Sequence, residues 1–517
     1  MDAFVAKHEK SIRGVLSCFD RVLFRGYVPL MSGYAMAEFL QRKQVQRRTL
    51  KSFLLAQAAR VKQHALTMAA AAQRPHQYLT TPTRKEELAR QIAERDGIRE
   101  GLVCIFSVLE PCRTFSLVWK EAHPYVQPAW RKCLQLYFYF LDRQLGLIHV
   151  KLQTWFPFPV QVYVNGHEWV ARRLDHHGVH YQKRDNVFVQ VSDLKRAQQL
   201  ADGFASIDWV RVLGRYARRV NSLLRDLLAP MQYYWVTSQA EYSTDVLFRS
   251  PSALAELMPR LLTYSALYFE AREVMAFLGR KVHGNFQGDV VTDQIDFGQM
   301  PKRLPGRRVK HRMKRNWMKM YNKEGAVLRV ETVINDPEEF RIRRRVRRQG
   351  RAVMAWVPLR KGVAYLSRYQ EICGQCNGRY LDALAQVDDP TPAIGALDAL
   401  SSRAATADGR TVRPFNPLAR QERTLFEVLM SGEHVLHGFT NRELRQHLVR
   451  VGFPLATEAA KQSGQVTRLL HRLHVHQLVA KIPRSRRWRV SRKGRRVMAA
   501  AIKLREVAYP SLYAEAA

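Results

Sequence analysis

An α+β fold with a separate helical module at the carboxyl end is predicted by three features of the 517-residue sequence. Helical periodicity dominates residues 1–100, apolar and polar positions alternate over residues 101–193, and a segment rich in Pro, Ala and Ser spans residues 386–419. Periods of about 3.6 and 2 distinguish helices from strands. We therefore expect a mixed or antiparallel sheet with helices on a face, in a chain of roughly two to four domains.

Residues 1–100 are predicted to form a helical layer. After a short extended start over residues 15–27, Ser32 can cap a helix that begins at Gly33. An apolar stripe on residues 50–68 predicts a long second helix. A third helix is expected to end at Gly97, because glycine favours the left-handed conformation that closes helices.

Residues 101–300 are predicted to form the α+β core. GLVCIFSVLE and CRTFSLVWKE flank Pro111 as a strand pair, and alternating segments continue to Asp193 with helical stretches between the later ones. Residues 209–228 and 252–278 are further helices, read as a packing insertion. Residues 301–385 are expected to complete this core and residues 386–419 to be a linker.

The most basic stretch spans residues 301–361, with twenty Lys or Arg and five Asp or Glu. Within it, residues 318–321 and 327–334 are predicted strands around a turn at 322–325, so the charge belongs to a folded element. Such a charge density is expected to be neutralised by a polyanion, most readily nucleic acid. The nucleic-acid-binding candidates here are Arg307, Arg308, Lys310, Arg312, Lys314, Arg315, Lys319, Arg341, Arg343, Arg344, Arg345, Arg347 and Arg348.

The charge of the whole chain points to the same class of partner. A net charge of +39 and a pI near 10.4 exceed what a small-molecule enzyme needs and supply salt-sensitive nucleic-acid affinity. No apolar run approaches the roughly 18 residues that span a bilayer, and the amino terminus lacks a signal-peptide core. We expect a cytoplasmic protein that binds DNA or structured RNA and no membrane.

The last module, residues 420–517, has helix signals, a capping box at Thr440 and Glu443, and a hairpin around residues 483–487. Nine Lys or Arg and no acid lie between Lys481 and Arg496. Three helices, a basic two-stranded wing and a last helix resemble a winged helix-turn-helix domain. That resemblance implies base contacts from the third helix and backbone contacts from the wing. The positions concerned are Lys461, Gln462, Gln465, Arg468, Arg472, Arg484, Arg486 and Arg487.

Several stretches of the chain are similar to a widespread family of uncharacterised bacterial proteins. They include FDRVLFRG at residues 19–26, GLVCIFSVLEPC at residues 101–112 and RVETVINDPEEF at residues 329–340. This resemblance implies no activity.

Residues 318–331, MKMYNKEGAVLRVE, resemble the strand pair of rolling-circle replication initiators, in which a tyrosine strand with a lysine precedes an Arg-x-Glu strand. The resemblance implies that Glu331 binds a divalent metal, Mg²⁺ or Mn²⁺, and that a tyrosine attacks a DNA phosphodiester. The available nucleophiles on the following predicted helix are Tyr365, Tyr369 and Tyr380. A strand-borne pair of histidines is missing, and the nearest strand histidine is His149.

A transposase or nuclease that uses carboxylates alone is a second enzymatic route. Its strand-associated candidates are Asp20, Asp142, Asp289, Asp293 and Glu331, which the sequence cannot bring together. Three functions stay open: a mobile-element protein that cuts or joins DNA, the non-catalytic RNA-binding protein of a ribonucleoprotein, and a transcription regulator.

Overall fold

The computed structural model describes residues 1–120, 123–280, 290–296, 307–348, 351–387, 391–406, 408–431, 434, 438–483 and 485–516. The chain divides into two compact units, Met1–Val387 and Asp388–Ala517. Helices and strands are both abundant and one large sheet dominates unit 1, so the predicted α+β class is confirmed. Among the described residues, no helix has the length and apolar character that crossing a bilayer requires.

Unit 1 is organised by a sheet of eleven strands in the order β10-β11-β12-β13-β9-β1-β6-β5-β4-β3-β2. Neighbouring strands run antiparallel except β2 and β3, which are parallel. The strands of this unit are β1 (Ile12–Tyr27), β2 (His76–Tyr78), β3 (Gly101–Lys120), β4 (His123–Asp142), β5 (Gly146–Gln153), β6 (Val160–Asn165), β7 (Tyr181–Arg184), β8 (Val187–Val191), β9 (Tyr234–Phe248), β10 (Val290–Asp296), β11 (Arg307–Met313), β12 (Asn316–Lys323), β13 (Val327–Ile334), β14 (Arg341–Arg348) and β15 (Arg351–Pro358).

Several helices of unit 1 begin where a short polar side chain can accept from a free backbone amide. Ser32, Asn165 and Asp193 each cap a helix in this way. The helices are α1 (Asp2–Lys7), α2 (Gly33–Arg42), α3 (Leu50–Ala71), α4 (Lys85–Arg95), α5 (Gly166–His176), α6 (Leu194–Asp202), α7 (Trp209–Val220), α8 (Pro251–Tyr268), α9 (Ala271–Phe277) and α10 (Leu366–Leu384).

The strand predicted over residues 327–334 shows how the sheet separates its two faces. Leu328, Val330 and Ile334 are buried in the main apolar core. Helix α10 packs on this face, where Asn377 Oδ1 accepts from Thr332 Oγ1 at 2.6 Å and its amide donates to the Tyr242 carbonyl at 3.0 Å. The alternate residues of β13, β9 and β12 point to the opposite face, which is polar.

Residues 1–100 contain the predicted helices, as α2, α3 and α4, but the extended start before them is part of the sheet. It is a sixteen-residue strand, β1, which lies between β6 and β9. Because β1 is hydrogen-bonded at both edges and much of it is buried, this region folds as part of the core.

Unit 2 has its own apolar core around Leu425, Phe426, Leu470 and Met498. Its elements are α11 (Thr391–Ser401), β16 (Ala404–Ala405), β17 (Thr411–Val412), α12 (Arg420–Leu429), α13 (Asn441–Arg450), α14 (Ala459–Val475), β18 (Val479–Lys481), β19 (Trp488–Val490), α15 (Arg492–Lys503) and α16 (Tyr509–Ala516). The order of helices and hairpin is the predicted one, and the capping box at Thr440 is present. The predicted linker is partly ordered, because α11 lies within it and Leu400 joins the core.

Candidate metal centre

Three buried carboxylates meet on the polar face of the sheet. Asp20 lies on β1, Glu241 on β9 and Glu331 on β13, and each offers an oxygen within 4.8 Å of the others. The strands are neighbours in the order β13-β9-β1, so the cluster crosses the middle of the sheet. Carboxylates brought this close repel one another unless a proton or a cation lies between them.

A β-bulge in β1 places Asp20 in this cluster. Phe19 pairs with Tyr242 and Val22 pairs with Ala240, so Asp20 and Arg21 together face the single residue Glu241. A bulge inserts an extra residue in one strand and turns its side chain out of the regular alternation. The adjacent register, in which Ser243 pairs with both Cys18 and Glu331, aligns the three strands.

Strand β12 supplies two hydrogen-bond donors to Glu331. Lys319 Nζ donates to Glu331 Oε1 at 3.0 Å, and the Tyr321 hydroxyl donates to Glu331 Oε2 at 3.0 Å. The same ammonium lies 3.7 Å from Glu241 Oε2. Lys319 pairs directly with Glu331 in the sheet register, so strand geometry alone sets this contact.

The protonation states within the centre are unequal. Burial and the neighbouring Glu331 carboxylate raise the pKa of Glu241 to about 8, against the opposing effect of Lys319. Burial alone would raise the pKa of Glu331, but the Lys319 charge holds it below its usual value. At neutral pH Glu241 therefore carries a proton that lies between the two carboxyl groups.

A buried ion network holds Asp20 from the other side. Arg329 is fully buried and forms two hydrogen bonds to Asp245, at 2.6 and 2.7 Å, while its Nη1 lies 3.4 Å from Asp20 Oδ2. His167 Nδ1 lies 3.4 Å from Asp20 Oδ1. Burial would raise the pKa of Asp20, but the neighbouring His167 ring and the Arg329 charge hold it well below its usual value.

Arg21 brings a second cation to the edge of the centre. The guanidinium lies 5.7 Å from the centre of the Tyr163 ring, and the side chain still reaches solvent. Burial would lower the pKa of Arg21, but the acidic groups around it, Glu241 foremost, together raise it. Arg25, four residues further along β1, is also exposed.

Of the residues predicted for catalysis or metal binding, Asp20 and Glu331 lie in this centre. Asp142 ends β4 and accepts from the backbone amides of Gln144 and Leu145 at 2.8 and 2.9 Å, so it shapes a turn. His149 lies between aromatic rings, stacked 5.0 Å from Tyr163, and burial lowers its pKa to about 3. It is therefore a neutral ring on the sheet surface that contributes nothing to the cluster.

The predicted tyrosine nucleophiles are part of the core. Tyr369 and Tyr380 are fully buried, and burial raises the pKa of both hydroxyls. The Tyr380 hydroxyl lies 3.0 Å from His311 Nε2. Tyr365 ends a short 3₁₀ turn before α10. Because α10 covers the face opposite to Glu331, these positions do not support attack on a phosphate near the carboxylates.

The predicted basic surface contains cations that face a carboxylate or an aromatic ring and cations that lie at the surface. The structure corrects the assignment of Lys319 to nucleic-acid binding, because its ammonium group is directed at buried carboxylates rather than at solvent. Lys314 Nζ pairs with Glu339 at 3.1 Å, and Lys310 Nζ lies 4.5 Å from the centre of the Trp317 ring. Side chains at the surface of β11, β12 and β14 are those of Arg307, Arg312, Arg315, Arg341, Arg343, Arg345 and Arg347, whereas Arg308 and Arg344 are half-buried. Arg348 is placed only as the last residue of β14.

In unit 2 several of the predicted DNA contacts stabilise the module itself. Arg472 lies 3.7 Å from the centre of the Phe415 ring and pairs with Glu422 at 3.2 Å. Gln462 and Gln465 bond the carbonyl and the amide of Ala456, at 2.7 and 2.8 Å.

The remaining predicted DNA contacts of unit 2 include both paired and exposed side chains. Lys461 pairs with Glu458 at 2.7 Å, and Arg487 pairs with Glu443 at 3.1 Å. Arg468 and Arg486 are exposed. Arg484 lies outside the described residues, as does the carboxylate candidate Asp289.

Glu241 and Asp245 are the functional residues that sequence reasoning missed. They lie four apart on β9, so both point to one face of the sheet. The segment YWVTSQAEYSTDVLF carries the signal of a strand. Its apolar and polar residues alternate only weakly, because the strand is buried along most of its length. Recognising that segment as a strand would have added Glu241 to the carboxylate candidates.

Comparison with known proteins adds no family to these observations, since no family model, curated protein or solved structure matches the chain. The function must therefore be argued from the geometry and charge of the chain itself.

Proposed function

We propose that unit 1 is a nucleic-acid-processing enzyme that cleaves or joins phosphodiester bonds with a divalent metal ion. The observation that carries this proposal is the meeting of Asp20, Glu241 and Glu331, from three neighbouring strands, within 4.8 Å. This arrangement belongs to the carboxylate-only route that the sequence left open. Two of its five candidates, Asp20 and Glu331, are members of the cluster.

The donor set fits a hard cation. All three side chains offer oxygen, which is the ligand that Mg²⁺ and Mn²⁺ prefer, and the set contains neither sulfur nor imidazole. The proton on Glu241 occupies the position where positive charge is needed, so a cation can replace it. Such an ion supplies charge stabilisation to a phosphoryl group and lowers the pKa of bound water.

The chain's own residues would orient the substrate around these carboxylates. Arg329 and His167 fix Asp20, and Lys319 and Tyr321 fix Glu331, so both ligands are held before any substrate arrives. Arg21 is placed to meet a phosphate at the edge of the centre, because its side chain reaches solvent. The attacking oxygen would be water or a hydroxyl of the nucleic acid, since Tyr369 and Tyr380 are buried on the other face and Tyr365 is half-buried just before α10.

Nucleic acid is the substrate class that the charge supports. The net charge is +39, and an exposed row of arginines lies on β14 in the same unit. That row also favours a second candidate function, a non-catalytic RNA-binding protein or a DNA-binding regulator. In that case the buried carboxylates would form only a structural ion network.

A nicking assay separates the two candidates. Supercoiled plasmid is incubated with the full chain in Mg²⁺ or Mn²⁺, and Glu331→Gln is expected to lower the nicking rate at least about 100-fold without weakening DNA binding in EDTA. Glu110→Gln is the matched control, because Glu110 is a half-buried carboxylate on β3 that accepts from Lys151 Nζ at 2.5 Å, as Glu331 accepts from Lys319. If the parent never converts plasmid or oligonucleotide substrates with either metal, the enzymatic proposal is wrong.

A further inference from the structure

We infer that the hairpin β14–β15 binds an unpaired strand of nucleic acid, with the Trp356 indole stacked on a base. The inference deepens the proposed function, because it names the form of the nucleic acid that binds. It rests on the proposed function only in that the ligand is a nucleic acid. The surface concerned is called the arginine ribbon here. It consists of Arg341, Arg343, Arg345, Arg347, Met354 and Trp356.

Strand register places these six side chains on one face of the hairpin. Arg343 pairs with Trp356 and Arg345 pairs with Met354, and cross-strand partners in an antiparallel pair point the same way. All six residues are exposed, Met354 by 54% and Trp356 by 62%. On the opposite face Ile342 is buried and its partner Val357 packs against the core, so the base of the hairpin is anchored through that side.

The charge of the ribbon has no partner in the described parts of the chain. No hydrogen bond or ion pair joins Arg341, Arg343, Arg345 or Arg347 to another described residue, although Glu338 and Glu339 lie three and two residues before the strand. Alternate residues of a strand lie about 6.6 Å apart, which is within a Debye length, so the four guanidinium groups repel one another. An extended polyanion removes that repulsion along the whole row.

An unpaired strand suits this surface better than a duplex. A large apolar ring exposed in the middle of a cationic row costs hydration free energy unless something covers it. The faces of bases can cover it, but they are free only in single strands, whereas a duplex offers base edges in its grooves. Arginine contacts to phosphates combined with aromatic stacking are the means by which proteins bind single strands without regard to sequence.

Fluorescence anisotropy tests the inference with a labelled 15-nucleotide single-stranded DNA and the same sequence as a duplex, both in EDTA. We expect the full chain to bind the single strand more tightly. Trp356→Ala should weaken that binding about tenfold or more, and Trp356→Phe should restore most of it because a stacking ring is retained. Trp130→Ala is the matched control, since Trp130 is an exposed tryptophan elsewhere in the unit, at 74%.

The arginines are tested by the dependence of binding on salt. Arg343→Ala combined with Arg345→Ala should lower the slope of log K against log salt by about 1.4, the value for two lost phosphate contacts on a single strand. The control pair is Arg13→Ala with Arg143→Ala, two exposed arginines on β1 and in the turn after β4.

Unchanged affinity of the Trp356 and arginine variants, or tighter binding of the duplex, would overturn the inference. Loss of plasmid nicking in Glu331→Gln does not depend on either outcome. The two proposals can therefore fail separately.

Discussion

The carboxylate centre and the arginine ribbon of unit 1 handle positive charge in opposite ways. In the centre, Arg329 is buried, Lys319 is partly buried, and both face carboxylates. In the ribbon, the arginines at positions 341, 343, 345 and 347 are exposed and have no partner among the described residues. Both sets belong to the same basic stretch of sequence. The number of Lys and Arg residues alone therefore does not indicate a binding surface. Each cation must be judged by the groups that its side chain faces.

The largest effect should come from removing the buried cation. Arg329→Met is expected to lower the free energy of unfolding by about 3–5 kcal/mol, because it leaves Asp245 and Asp20 buried without their counter-ion. Arg345→Met on the ribbon should change it by less than about 0.5 kcal/mol. Urea unfolding followed by circular dichroism measures both. Equal midpoints for the two variants would remove the distinction between the regions.

Metal binding should give a second test of the difference between the two regions, at the carboxylate centre. With Mn²⁺ at about one hundred times its Kd, the parent should gain about 2.7 kcal/mol of stability, because the ion binds only the folded centre. Glu331→Gln should abolish this gain, whereas Glu110→Gln should retain it. Thermal unfolding with and without Mn²⁺ gives the result. A gain that survives in Glu331→Gln would place the metal elsewhere.

The proton on Glu241 predicts a pH dependence of stability. The folded-state pKa of about 8 lies above the ordinary value of 4.5, so the contribution is complete below pH 4.5 and is lost as the pH rises through 8. Within that window the folded protein binds a proton that the unfolded chain has released. In EDTA the parent should therefore lose about 2 kcal/mol more than Glu241→Gln between pH 5.5 and pH 7. Parallel pH profiles for the two proteins would show that Glu241 is ionised in the fold.

The sequence predicted the parts of the fold whose periodicity is strong. The alternation over β13 and the capping box at Thr440 were recognised, because each depends on residues close in sequence. The strand pair predicted around Pro111 is wrong, because both of its segments belong to the single strand β3, which pairs with β4. The position of β1 inside the sheet was not recognised either. Strand order depends on pairing between segments as distant as β1 and β9, for which a single sequence carries no signal.

The candidate site was only half predictable for a related reason. Glu331 was found through a local strand pattern, and Asp20 was a strand-associated candidate without a partner. The two side chains meet because of the bulge at Asp20 and Arg21. Strict alternation of side chains along β1 would place Asp20 on the wrong face of the sheet. Lys319 was assigned to nucleic acid because the sequence shows its charge but not the carboxylates beside it.

The smallest predicted effect applies the same comparison to unit 2. Arg472 stacks on Phe415 and pairs with Glu422, so Arg472→Ala should lower the stability of unit 2 by about 1–2 kcal/mol. Arg468, one turn earlier on α14, is exposed, and Arg468→Ala should change stability by less than about 0.5 kcal/mol. For DNA affinity at low salt the order should reverse, because only the exposed guanidinium is available to a phosphate. Urea unfolding and filter binding of the two variants measure both orders. An Arg472→Ala variant that keeps full stability but loses DNA binding would contradict this expectation and support the DNA contact predicted for Arg472 from the sequence.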